Sequence, residues 1–371
     1  MRYADVLPCY RSDYATARQL FLQRAGEHGH RVESFEHPRV GPQGETLALD
    51  AAWCGEHAAQ RLLILSSGLH GLEGAAGSAM QAALLDGSLH ELAMSRGWSV
   101  LQLHALNPFG FAYNRRWDED NVDANRNFAL PGGPGVPAGN ALYRELDSLL
   151  NPQRPAAFDT WRFYAGAARA VLQHGFANLK QAVAEGQYEF PRGLFYGGRE
   201  PCWTQRCLVE KLPKWIAGRR EVVHFDIHSG LGRWSDLKLL LDYPIRDWQR
   251  SWLQRYPESL WEDAAPAGTA YHALGGLGRW GDARFNESTG SAADASARYL
   301  YLCAEFGTYG PLRVLSALRA ENCQWHARGG SCDPSDRVVA HVREMFCPRS
   351  AAWRRATMKR LAAALERVFE A

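Results

Sequence analysis

At 371 residues the chain is long enough to bury a sizeable core, and it is long for one plain domain but not for a single decorated α/β enzyme. Its 42 basic residues stand against 40 acidic ones, so the net charge of +2 gives no reason to expect a nucleic-acid or membrane partner. Met1 to Tyr10 carries Asp5 and Pro8 and lacks a signal-peptide core, no stretch is apolar enough to span a bilayer, and eight scattered cysteines without a C-x-x-C pair read as reduced thiols, so a cytoplasmic protein is expected.

Tyr14, Ala17, Leu20, Phe21 and Leu22 recur at helical spacing and predict a helix within residues 12–29. From Val32 to Cys54 short alternating runs broken by Gly41, Pro42 and Gly44 predict a hairpin along a sheet edge. The apolar run Leu62 to Leu65 predicts a strand that hands over, through S-S-G-L-H-G-L-E-G-A-A-G, to an Ala-rich helix ending near Leu85. Trp98 to Leu106 predicts a second strand, closed by Asn107-Pro108. The polar segment Phe109 to Phe128 that follows has neither period, and a long charged loop after a core strand is more often functional than decorative.

Beyond a Pro/Gly linker over 131–139, helical composition runs from Ala141 to about Gly186 and again from Trp203 to Ile216. Val222 to Ser229, Leu237 to Leu241 and Tyr299 to Phe306 predict three more strands, with a Gly-rich loop over 266–293, and Ala351 to Phe369 an amphipathic helix. Strands separated by helices predict an α/β fold, a mixed, mainly parallel twisted sheet with helices on both faces. One domain is expected over 1–371, with a helical insertion at about 130–220 that shapes one wall of a cleft and a C-terminal helix at about 351–370.

His70 and Glu73 sit in the first strand-to-helix turn, where an imidazole and a carboxylate can converge on one divalent metal. Period two places His224, Asp226 and His228 on one face of their strand. His228, just before the turn at Ser229-Gly230, is the natural third ligand; Asp226 can orient an imidazole, and His224 reads as a core histidine. Zinc held by two imidazoles and a carboxylate lowers the pKa of bound water to about 7, and Glu305, ending an apolar strand, has the chemistry of the base that takes its proton. In the charged loop Asn125 and Arg126 suit bidentate recognition of a carboxylate, and Arg115 and Arg116 add charge for an oxyanion. Asp118, Glu119, Asp120 and Asp123 are expected in part to neutralise those arginines.

Taken in order, H-G-L-E, N-P-F-G-F, R-R-W, N-V-D-A-N-R-N-F, D-I-H-S-G and A-E-F-G-T-Y span residues 66–309, and the ordered set resembles the zinc carboxypeptidase superfamily typified by carboxypeptidase A. It is most similar to a bacterial branch with poorly defined substrates. The resemblance implies one zinc ion on His70, Glu73 and His228, with Glu305 as general base. It also implies Asn125 and Arg126 on a terminal carboxylate and one of Arg115 or Arg116 on the oxyanion, Arg116 being favoured. The family's mobile tyrosine has no clear match: Tyr271 lies too far upstream and Tyr309 on the wrong side of Glu305. Related deacylases and desuccinylases share the D-x-H-S and N-R elements. The expected function is therefore a zinc-dependent hydrolase cleaving an amide next to a free carboxylate, on a small peptide. The alternatives are an N-acyl amino acid deacylase and a non-catalytic zinc-pocket binder of a carboxylated ligand. No oligomeric state is read from the sequence.

Overall fold

A computed structural model of the chain describes residues 1–54, 59–130, 139–154, 161–263, 273–286, 297–331, 333 and 335–370. Its strands are β1 (Arg31–Val40), β2 (Thr46–Cys54), β3 (Arg61–Ser67), β4 (Trp98–His104), β5 (Glu221–Ser229), β6 (Leu237–Leu241), β7 (Trp261–Asp263) and β8 (Arg298–Phe306). They form one sheet in the order β1-β2-β4-β3-β5-β8-β6-β7. The centre, β4-β3-β5-β8, is parallel. At one edge β1 and β2 form the antiparallel hairpin anticipated for Val32 to Cys54. At the other, β6 runs antiparallel to β8 and parallel to β7. The expected mixed, mainly parallel sheet is thus present.

The central strands are apolar at successive positions because both faces of the sheet are covered: β4 is buried along its whole length, and β3 and β5 everywhere but their first residue. The helix Gly74–Leu85 is buried on every side, which its small residues allow. The C-terminal helix Ala351–Val368 buries Trp353, Met358, Leu361, Leu365 and Val368, the stripe predicted from spacing. The segment expected as an insertion, about 130–220, holds the helices Ala141–Leu150, Trp161–His174, Phe176–Ala184 and Trp203–Ile216. Together with the helices Pro311–Ala327 and Arg337–Phe346 it builds a second, smaller core around Trp117, Tyr143 and Phe346. Among the described residues no helix is long and apolar enough to cross a membrane.

The Gly-rich stretch read as loop departs from expectation, since Leu277–Asn286 is a helix. Its glycines serve close packing: a Cβ on Gly281 would fall 2.5 Å from the Tyr299 ring of β8. A residue type that marks loops in a sequence here lets a helix lie directly on a strand. Tyr271 falls outside the described residues.

Candidate metal centre

The site lies at the carboxyl ends of β3, β5 and β8, where a parallel sheet leaves its strand ends open to ligands. After β3 the chain turns at Gly68, runs extended through His70 and enters the single turn Gly71–Glu73 ahead of the helix. Gly71 is needed there, because a Cβ would meet the backbone of Gly110 at 2.1 Å. The H-G-L-E and N-P-F-G-F motifs are therefore two halves of one contact. On β5, register sets Asp226 beside Ser66 of β3 and His228 beside Glu305 of β8.

His70, Glu73 and His228 converge and are all buried. Nδ1 of His70 is 3.0 Å from Glu73 Oε1, Nδ1 of His228 is 2.9 Å from Glu73 Oε2, and the two Nδ1 atoms are 3.2 Å apart. Donors about 2 Å from one tetrahedral metal lie roughly 3.3 Å from one another, so the two Nδ1 atoms and the Glu73 carboxylate are spaced for a single coordination sphere. The outer ring nitrogens face carboxylates. His228 Nε2 is 2.7 Å from Asp226 Oδ2, and His70 Nε2 is 3.2 Å from Asp123 Oδ1. A ring that donates its outer N–H to a carboxylate presents a lone pair inward, which is the tautomer of a metal ligand. The donor set can hold a metal ion.

Charge balance in the site follows the same geometry. Burial alone would raise the Glu73 carboxyl, but His70 and His228 outweigh it and hold it well below the carboxylate range. Asp226 and Asp123 are depressed for like reasons, against burial, chiefly by His228 and by Arg116 respectively. Glu305 behaves in the opposite way: burial, reinforced by the charge of Glu73, pushes it up to about 8. Its Oε1 accepts from the Leu231 N–H at 2.8 Å.

The two adjacent arginines part company. Arg116 belongs to the centre, with Nε donating to Asp123 Oδ2 at 2.9 Å and Nη2 lying 2.7 Å from His70 Nε2. Arg115 points into the smaller core, where it pairs with Glu321 at 2.8 Å, donates to Asn121 and Asn322, and stacks 4.1 Å from the Trp325 ring. Of the loop acids only Asp123 meets one of these arginines in an ion pair among the described residues; Glu119 pairs with His37 and Asp118 accepts from the Val122 N–H.

Asn125 accepts from the Leu277 N–H at 2.9 Å and lines a cavity of about 40 Å³ with His70, His228, Asp242, Tyr301 and Cys303. Arg126 does not line that cavity. It is fully buried, with Nε donating to the Ala184 carbonyl at 2.9 Å, Nη2 donating to the same oxygen, and Nη1 donating to the Asn125 carbonyl at 2.8 Å. His224 is a core histidine, held by Ser66 at 2.7 Å and Tyr299 at 2.8 Å.

Cys303 was not singled out from the sequence, although period two places it on the Glu305 face; with His228 and Glu305 it forms a second group of close donor atoms. Burial pushes its thiol well up, so it stays protonated and is the poorer ligand.

The carboxypeptidase likeness read from the motifs recurs among solved structures. Carboxypeptidase A from Helicoverpa armigera is similar over 91% of this chain and 74% of its own, at 13% identity and a TM-score of 0.45. Bovine thrombin-activatable fibrinolysis inhibitor is similar over 92% of this chain and 98% of its own, at 11% identity and a TM-score of 0.47. At such scores neither likeness bears on activity or substrate. No curated protein matches the chain. Matched over residues 10–360, the chain belongs to the family described as "Protein of unknown function (DUF2817)".

Proposed function

We propose that the protein is a zinc-dependent hydrolase that cleaves an amide bond, with one zinc ion on His70, Glu73 and His228. The observation that carries this reading is the convergence of two imidazole Nδ1 atoms and a carboxylate within 2.9 to 3.2 Å, beside a second carboxyl that is pushed up to about 8. When bound, zinc supplies a Lewis acid and lowers the pKa of water to about 7. Glu305 is then the proton carrier, fixed by the Leu231 N–H, taking a proton from water and returning it to the leaving nitrogen. Arg116 serves the oxyanion. A His70 ring that gives its Nε2 proton to Asp123 cannot also accept from Arg116, so that guanidinium donor is left for a substrate oxygen.

The carboxylate next to the scissile amide is assigned to Asn125, on the smaller cavity. Arg126, expected from the sequence to share that task, has its donors on the Ala184 and Asn125 carbonyls and is assigned to positioning Asn125. Arg115, held by Glu321, is assigned no catalytic part. A pure binder would have no use for a buried carboxyl placed beside His228 as Glu305 is, which favours catalysis over a zinc-pocket binder.

Metal analysis of the purified protein tests the centre, alongside turnover on a panel of peptides and N-acyl amino acids. His70→Ala is expected to lose zinc, and Glu305→Gln to keep zinc and lose turnover. Full zinc content in the first variant, or full activity in the second, overturns the proposal.

A further inference from the structure

A cavity of about 200 Å³ opens off the metal centre on the side of Glu73, Arg116 and Glu305. Away from those groups its wall is hydrocarbon, with Leu146, Leu150, Phe163, Val183, Leu318 and Phe346 among the contributors. The insertion helices and Pro311–Ala327 supply most of it. Among the described residues, Lys180 is the one charged side chain on that part of the wall. A peptide strand entering here would bring backbone N–H and C=O groups that such a wall cannot pair, and their desolvation opposes binding. An unbranched hydrocarbon chain makes no such demand.

Exposed large apolar residues gather on the same helices: Leu172 is 88% exposed, Trp161 74%, Phe176 50% and Leu312 37%. Phe176 and Leu312 also line the cavity, so the apolar wall continues out to solvent at its mouth. An apolar surface that leads into a cavity suits a ligand whose own tail is apolar. The smaller cavity, which shares His70 and Glu305 with the large one, differs in both size and character, being lined as well by Asn125, Asp242, Tyr301 and Cys303.

Resting on the hydrolase reading above, we propose that the substrate is an N-acyl amino acid with a long unbranched acyl chain. The chain lies in the large cavity, the amide carbonyl faces Arg116, and the amino acid head sits by Asn125. Water oxygen bonds to the acyl carbon as the C–N bond breaks, giving a fatty acid and a free amino acid. The water proton taken by Glu305 goes to the departing nitrogen.

The test uses the zinc-loaded full chain and acetyl-, hexanoyl-, decanoyl- and tetradecanoyl-glycine, each below its micelle threshold. kcat/KM is expected to rise roughly two- to fourfold for each added methylene until the cavity is full. Ala167→Trp, which places an indole in the wall, moves the plateau to shorter chains, whereas a folding defect would depress all four substrates alike. Measurable turnover with a flat or falling profile overturns the chain assignment and leaves the hydrolase reading standing. A binding arm separates the two. Displacement of a fluorescent polyene fatty acid from Glu305→Gln, in the same chain-length order, supports the cavity assignment even where no amide is cleaved. Absence of displacement by any alkanoic acid overturns it.

Discussion

Asp226 and His228, two positions apart on β5, are joined by a 2.7 Å hydrogen bond from the imidazole Nε2 to the carboxylate Oδ2. Ser66 and Tyr301 donate to the same carboxylate at 2.6 and 2.8 Å, so it cannot rotate away. Its effect is to fix the ring tautomer with Nδ1 inward. Asp226→Asn keeps the shape but presents an amide donor to an N–H. Zinc affinity is expected to fall roughly 10- to 100-fold, the usual cost of losing such a partner, as read by competition with a chromophoric chelator. Unchanged affinity would mean that the ring is oriented by something else.

Glu305 makes the metal-free protein sensitive to pH. Its carboxyl moves from 4.5 to about 8 on folding, because burial and then Glu73 disfavour the charge. Between those values the native state holds a proton that the unfolded chain has lost, so stability from this group is greatest at low pH and declines as pH rises. The slope is at most ~1.4 kcal/mol per pH unit. Glu73 has the opposite sign, since its depressed carboxyl contributes stability above the ordinary carboxylate pKa and loses it as pH falls. Urea midpoints of chelator-treated protein, measured with and without Glu305→Gln, isolate the term: the variant should lose the decline towards alkaline pH. A metal ion reverses the local preference, so the zinc-loaded protein should not show it.

The candidate ligands were legible because His228 lies near the end of one plain apolar strand and His70 and Glu73 in the turn that follows another. Arg115 and Arg116 could not be separated in the same way. They are neighbours in a loop with neither helical nor strand period, and Asn114 just before them adopts φ +52. Which guanidinium faces His70 and Glu73 is decided by that backbone and by Glu321, distant in sequence from both. The packing of Arg126 was hidden for a related reason, since its partner Ala184 lies 58 residues away. The large cavity was hidden too: the residues that wall it have the spacing of ordinary core faces, and only the packed helices show that they leave a space.

The two neighbouring arginines are expected to differ in their effect on kcat. Arg115→Ala strands the buried Glu321 carboxylate and should cost ~3–5 kcal/mol of stability, while the folded fraction keeps its kcat. Arg116→Ala strands a buried carboxylate as well, that of Asp123, and should also cost stability, but its folded, zinc-bound fraction should lose roughly 10²- to 10³-fold in kcat, as expected when one oxyanion donor is removed. Chemical denaturation and steady-state kinetics on both variants check this. A loss of kcat per folded molecule in Arg115→Ala would return it to the catalytic set.

Arg126 ties the metal-side loop to the insertion, since Nε and Nη2 both donate to the Ala184 carbonyl and Nη1 donates to the Asn125 carbonyl. Removing the side chain takes charged donors from two half-buried carbonyls, at about 1.5–3 kcal/mol. Arg126→Ala should therefore lower the melting temperature and speed proteolysis within residues 141–184. Arg126→Lys should not restore either, because one ammonium cannot reproduce a planar fork that reaches two carbonyls at once. A stable variant whose only defect is a raised KM for carboxylated substrates would show instead that this guanidinium leaves Ala184 and grips the substrate.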